Sequence, residues 1–182
     1  MNLFSTLLGL LLGAAPLAAE GRADPATRVT VETFVVGLGT AKGEVLEFAR
    51  RQGELTGGVN PDIRARELAG KCAGEITLIH STSWRWMPDG RIVLTYVAWA
   101  KDGTLTPGAR ALPDLKPPGP TDPLHPRPTE IRELDPLAHG LRHLAFLLRT
   151  SRDGAVAAAL GPRSAAALAR VEPDVAGELV AP

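Results

Sequence analysis

Two of the four histidines in this 182-residue chain stand four apart, in His139-Gly140-Leu141-Arg142-His143. On a helix that spacing puts both imidazoles on one face, where they could share a metal ion. A zinc-protease helix reads His-Glu-x-x-His, with the glutamate as base, and here Gly140 takes the glutamate's place. A catalytic zinc needs three protein ligands and an open position, so His80 or His125 would have to supply the third nitrogen. The alternative is an ordinary helix carrying two hydrogen-bonded or solvent-facing histidines. The leucines of the same segment lie on the opposite side, which favours water for the histidine face, while Phe146 on the histidine side points to cover there, as by the proline-rich loop.

A second constellation is His80-Ser81-Thr82-Ser83-Trp84. It resembles the His-x-Thr-x-hydrophobic strand motif of the two-histidine phosphoesterases. The resemblance implies His80 as base or acid, with Thr82 beside it on one strand face toward a phosphate. It covers five residues. The family carries the motif twice, and here His125, His139 and His143 are followed by Pro-Arg, Gly-Leu and Leu-Ala.

The same strand offers a third arrangement. Ser81, Ser83 and Arg85, with Tyr96 from the next strand, would form a polar floor for an anionic ligand. The plainer alternative is a partly solvated sheet face. Trp84, Trp86 and Trp99 all fall in this region, where they read as core and cross-strand packing.

Other signatures are missing. Gly37-Leu38-Gly39 follows a strand, but Lys42 stands where the dinucleotide fingerprint needs its third glycine. There is no Gly-x-Ser-x-Gly elbow and no calcium loop. Cys72 is the single cysteine, which rules out an internal disulfide and a thiolate-rich zinc site. Its small neighbours Ala73 and Gly74 suit a semi-buried hydrophobe.

These residues need elements to hold them. Arg28 to Gly37 is rich in β-branched residues and slides from alternation into an apolar run, predicting a strand covered on both faces at its end. Val45, Phe48, Ala49 and Gln52 share a helical stripe, predicting an amphipathic helix from Ala41 to Gln52 capped by Thr40. Asn60 and Pro61 open a short helix that Gly70 ends. Glu75 to Trp86 and Arg91 to Ala100 predict a hairpin, with Asp89-Gly90 as a two-residue turn. That register sets His80 opposite Trp99, Thr82 opposite Val97, Trp84 opposite Thr95 and Trp86 opposite Val93. The other face would then carry Ser81, Ser83, Arg85, Leu94, Tyr96 and Ala98.

Lys101 to Asp135, rich in proline and glycine, reads as a long loop. Asp135 and Pro136 open a helix to about Arg149 with a core stripe of Leu137, Leu141, Leu144 and Leu148. Asp153 and Pro162 begin two short alanine-rich helices, and Val175 to Val180 would add a weak edge strand. The expected class is α+β: an antiparallel-rich sheet (strand, helix, short helix, hairpin, helix) with the helices packed on one face. With the last strand included, the order resembles the β-α-β-β-α-β order of ferredoxin-like folds.

Residues 1–23 read as a signal-like hydrophobic leader and spacer, and residues 24–182 as one domain. Leu3 to Ala19 is uncharged in a chain that is 22% charged, but no Lys or Arg precedes it. Export is the expectation, to periplasm or exterior. The alternative is a cytoplasmic protein with a mis-called start, in an Arg-, Ala-, Gly- and Pro-rich chain of GC-rich type. Basic and acidic residues balance at 20 each, which argues against a nucleic-acid partner. No stable membrane span is expected in the mature domain. A non-catalytic binding or accessory domain of unstated ligand is the reading that follows. The alternative is a small hydrolase using His80 with His139 and His143, with or without zinc.

Overall fold

The computed structural model describes residues 28–39, 45–115 and 131–174. The leader, Thr40, His125 and the expected last strand at Val175 to Val180 lie outside the described residues.

Strand β1 (Val29–Leu38) forms where its β-branched run predicts. It is buried along nearly its whole length because it sits in the middle of the sheet with structure on both faces. Strand β2 (Leu46–Glu54) follows and pairs antiparallel with it. The helix expected from Ala41 to Gln52 is therefore a strand in its described part. Glu, Ala and Arg favour a helix weakly, but Leu46, Phe48, Arg50 and Gln52 also alternate with period two. Partners on the far side of β1 decide between the two periods. Phe48 enters the core opposite Val36, and Arg50 and Gln52 reach a carboxylate on β1.

Helix α1 (Pro61–Gly70) starts as expected, with Asn60 Oδ1 accepting from the Asp62 amide at 2.8 Å. Strands β3 (Ile76–Trp86) and β4 (Ile92–Ala100) make the predicted hairpin, but its loop is longer by one residue. The Met87 amide donates to the Arg91 carbonyl at 2.8 Å, and the Gly90 amide donates to the Met87 carbonyl at 3.0 Å. Pro88, Asp89 and Gly90 thus form a three-residue loop. Gly90 alone takes a positive φ (+78°), whereas the two-residue turn would require one at Asp89 as well. Every facing pair moves by one or more places: Trp86 opposes Ile92, Trp84 opposes Leu94, Ser83 opposes Thr95 and His80 opposes Val97. Trp99 stands opposite Leu78.

A short strand β5 (Arg110–Ala111) interrupts the segment expected to be loop throughout, and Leu105 bridges Ala73. The sheet order is β3-β4-β1-β2-β5. Its pairings are antiparallel except β1 with β4, so the sheet is mixed and mostly antiparallel. Strand β2 precedes α1, and β1 has β2 and β4 as neighbours, so the ferredoxin-like order is not confirmed.

Helices α2 (Asp135–Thr150), α3 (Ala155–Leu160) and α4 (Pro162–Leu168) complete the described elements. They cover the sheet face of Phe34, Val36, Phe48, Val97 and Trp99 with Leu137, Leu141, Leu144, Leu160 and Leu168. Leu148 is half-buried at the rim of this cluster. The opposite face, with Val31, Val35, Tyr96 and Ala98, is covered by Ala65, Leu68 and Ala69 of α1 and by Cys72. Helices therefore lie on both faces, not one. The reason is visible in β1 and β4, whose adjacent residues are both apolar and cannot leave either face to water. Among the described residues no helix is long and apolar enough to cross a membrane.

Candidate functional site

Strand β3 is an edge strand with a bulge between Ser81 and Ser83. Thr82 is the extra residue, and inserting one residue reverses which face the following side chains take. Cross-strand partners share a face, so His80 stands with Val97 on the α2 side, and Ser83 and Arg85 stand with Thr95 and Val93 on that same side. Ser81 stays with Tyr96 on the α1 side, and Trp84 and Trp86 join that face beyond the bulge. The polar floor expected of Ser81, Ser83, Arg85 and Tyr96 is thus divided between the two faces. Tyr96 is buried and its hydroxyl donates to Asp62 Oδ1 at 2.7 Å. Burial, then the Asp62 hydrogen bond and charge, push its pKa up to about 12.

Arg85 reaches a residue whose role the sequence reading missed. Glu32, in the middle of β1, is 0% exposed. Arg85 Nη2 donates to its Oε2 at 2.8 Å, and Gln52 Nε2 and Arg50 Nε donate to its Oε1 at 2.7 and 2.9 Å. The Thr95 hydroxyl donates to Oε2 at 3.2 Å and accepts from Arg85 Nη1 at 2.8 Å. Burial pushes the Glu32 pKa up, but the Arg85 charge and the Gln52, Arg50 and Arg85 hydrogen bonds outweigh it and hold the group below its ordinary 4.5. The signal was present: a carboxylate inside Val-Thr-Val-Glu-Thr-Phe-Val-Val must be paired if that strand is covered on both faces. Arg50 also meets Glu133 at 3.4 Å, and Arg110 meets Glu133 at 3.2 Å, which extends the charge alternation toward β5.

The histidines gather farther along β3. Helix α2 comes close to the sheet at Gly140, where an added Cβ would lie 2.5 Å from Val97 Cγ2 and 3.0 Å from Thr82 Cγ2. Gly140 is therefore explained by close approach, not by a missing catalytic glutamate. That approach brings His143 Nδ1 to 3.1 Å from His80 Nε2. The histidine face of α2 is half-buried against β3, so the cover that Phe146 pointed to is supplied by the sheet and the face is not left to open water. Burial lowers the pKa of all three imidazoles. The charge on His143 adds to this at His80 and at His139, while Asp174 and a hydrogen bond to the Thr82 backbone pull His139 back up.

His80 meets His143, one member of the α2 pair. Among the described residues, however, no three His, Cys, Asp or Glu side chains are placed to hold a metal ion. The Thr82 hydroxyl donates to the Thr95 carbonyl at 3.2 Å, so it is committed to the backbone, and the imidazole that meets His80 comes from helix α2. His80 and Arg85 are five residues apart on the strand, roughly 15 Å. The two polar clusters are neighbours, not one centre.

The fold defines an α+β protein with a mixed five-stranded sheet between helical layers. Comparison with known proteins finds no match among protein families, curated sequences or solved structures.

Proposed function

We propose that this protein is a non-catalytic binding domain that takes a small anion on Arg50 and Arg85. One observation carries this reading: Arg50 and Arg85 converge on the buried carboxylate of Glu32, and with Arg110 and Glu133 beside them three guanidiniums meet two carboxylates, leaving one positive charge in excess. Both remain open to water, with side chains 28% and 16% exposed. Arg85 spends N–H groups on Glu32 and Thr95 and keeps others of its five donors for an incoming acceptor. Glu32 and Thr95 hold the fork in place before a ligand arrives, which lowers the entropy cost of binding. Ser83, on the same side, adds a hydroxyl. Titration calorimetry with inorganic phosphate and with succinate tests this. The expected result is saturable binding that weakens at least about tenfold, or 1.4 kcal/mol, in Arg85→Lys, which keeps the charge but loses the fork. No binding of either anion, or equal binding by Arg85→Lys, rejects the reading.

A second reading rests on the 3.1 Å contact between His80 Nε2 and His143 Nδ1. Two half-buried imidazoles so close, both kept neutral by burial above about pH 6.5, would serve a hydrolase first as base and then, once protonated, as acid. This reading requires turnover of p-nitrophenyl phosphate or acetate that His143→Gln removes.

A further inference from the structure

Trp84 and Trp86 are 58% and 55% exposed, although they are two of the largest apolar side chains in the protein. They stand on one face of the edge strand β3, with rings edge to face and centroids 6.5 Å apart. Their cross-strand partners Leu94 and Ile92 are only half-buried, so the four make a continuous apolar surface on the hairpin tip. The α1 layer ends short of it: Leu94 is the last residue of this face packed against the cluster of Ala65 and Leu68.

The N-terminal segment joins the sheet at this same end. Val29 pairs with Ile92, which pairs with Trp86, and the Ile92 amide donates to the Arg28 carbonyl at 2.9 Å. The point where the chain enters β1 is therefore two strand spacings, about 10 Å, from Trp86. Residues 20–27 separate it from the uncharged run Leu3 to Ala19, a reach of at most about 29 Å. A bilayer engaged by that run would lie within about 40 Å of the hairpin tip.

We propose that the Trp84–Trp86 tip is a membrane-facing surface that lies in the headgroup region of a lipid bilayer. Indole suits that region because its ring is apolar while its N–H remains hydrogen-bonded to headgroups or water. Arg28 and Arg91 flank the tip, and Arg28 adds positive charge beside the Arg91–Asp89 pair for contact with anionic headgroups. The surface is independent of the anion site, because Arg50 and Arg85 belong to the opposite face.

The experiment uses the full chain with vesicles of phosphatidylglycerol and phosphatidylcholine. The double variant Trp84→Ser with Trp86→Ser keeps the buried Trp99 and removes side chains that the core does not use. In the unaltered chain, vesicles should shift tryptophan emission to the blue, protect it from aqueous acrylamide and expose it to quenching by bromine-labelled lipid. The double variant should show none of these changes and bind the vesicles about tenfold more weakly. Vesicle binding with Trp84 and Trp86 still open to acrylamide assigns the attachment to the leader alone and overturns the proposal. Absence of vesicle binding overturns it too. So does acrylamide protection that rises with protein concentration without lipid, which would assign the surface to a second copy of the chain.

Discussion

His80 and His143, 63 residues apart in sequence, meet where α2 crosses the edge strand, with ring nitrogens 3.1 Å apart and ring planes tilted by 47°. Protonating either ring places a charge in a half-buried contact. The folded-state pKa values of His80, His139 and His143 all lie below the ordinary 6.5, so the unfolded chain takes up protons first as the pH falls. The stability that the neutral cluster contributes is whole above about pH 6.5 and declines as the pH drops from there through the folded-state values. Thermal melts should show the midpoint falling as the pH drops below about 6.5, with a shallower fall in His80→Gln/His143→Gln. Parallel pH profiles for the two proteins reject the cluster as the cause. Glu32, held below 4.5, adds a separate loss only in more acid solution.

Glu32→Gln should be among the most damaging substitutions at a polar position. It keeps the shape but leaves the Arg50 and Arg85 charges over a neutral buried group. Breaking one side of a buried ion pair costs about 3–5 kcal/mol, and the lower end applies because both arginines can turn toward water. Urea denaturation measures the loss. A change under about 1 kcal/mol would show that the arginines do not depend on Glu32.

Gly140→Ala is expected to destabilise by about 1–3 kcal/mol, although alanine is the better helix former by about 1 kcal/mol. The new Cβ would press on Val97 Cγ2 and Thr82 Cγ2, branched side chains fixed in the sheet. Helix α2 would have to lift, which also parts His143 from His80. A stabilised alanine variant would mean that the helix has room to move there.

Leu144→Ala should cost about 2–5 kcal/mol, since Leu144 is buried among Val97, Leu141 and the other members of the main core cluster. The same change at half-buried Leu148 should cost less. Equal losses at both positions would contradict the burial of the α2 stripe.

Ser164 bears on the core from another side. Its hydroxyl accepts from Trp99 Nε1 at 2.9 Å and donates to Asp102 at 2.8 Å, while Trp99 is fully buried. Ser164→Ala should therefore cost about 1–3 kcal/mol by stranding the indole N–H. Denaturant titration checks it, and a silent substitution would mean that the N–H finds another partner.

The sequence by itself determined the elements whose signals are local. The β-branched run of β1, the Asn60-Pro61 start of α1, the leucine spacing of α2 and the positive φ at Gly90 depend on a few neighbouring residues and appear where their chemistry predicts. Only the tertiary structure decided the rest. Leu46 to Glu54 fits two periods, and pairing with β1 chose the strand. One extra residue in the hairpin loop and one bulge at Thr82 reassigned the faces, dividing Arg85 from Tyr96 and setting Trp84 and Trp86 outward. The Glu32 cluster and the His80–His143 contact each join residues from distant segments. The side-chain period of a strand is two, so a single-residue shift exchanges core for surface, and no local propensity carries enough energy to fix that register before the partner strand is in place.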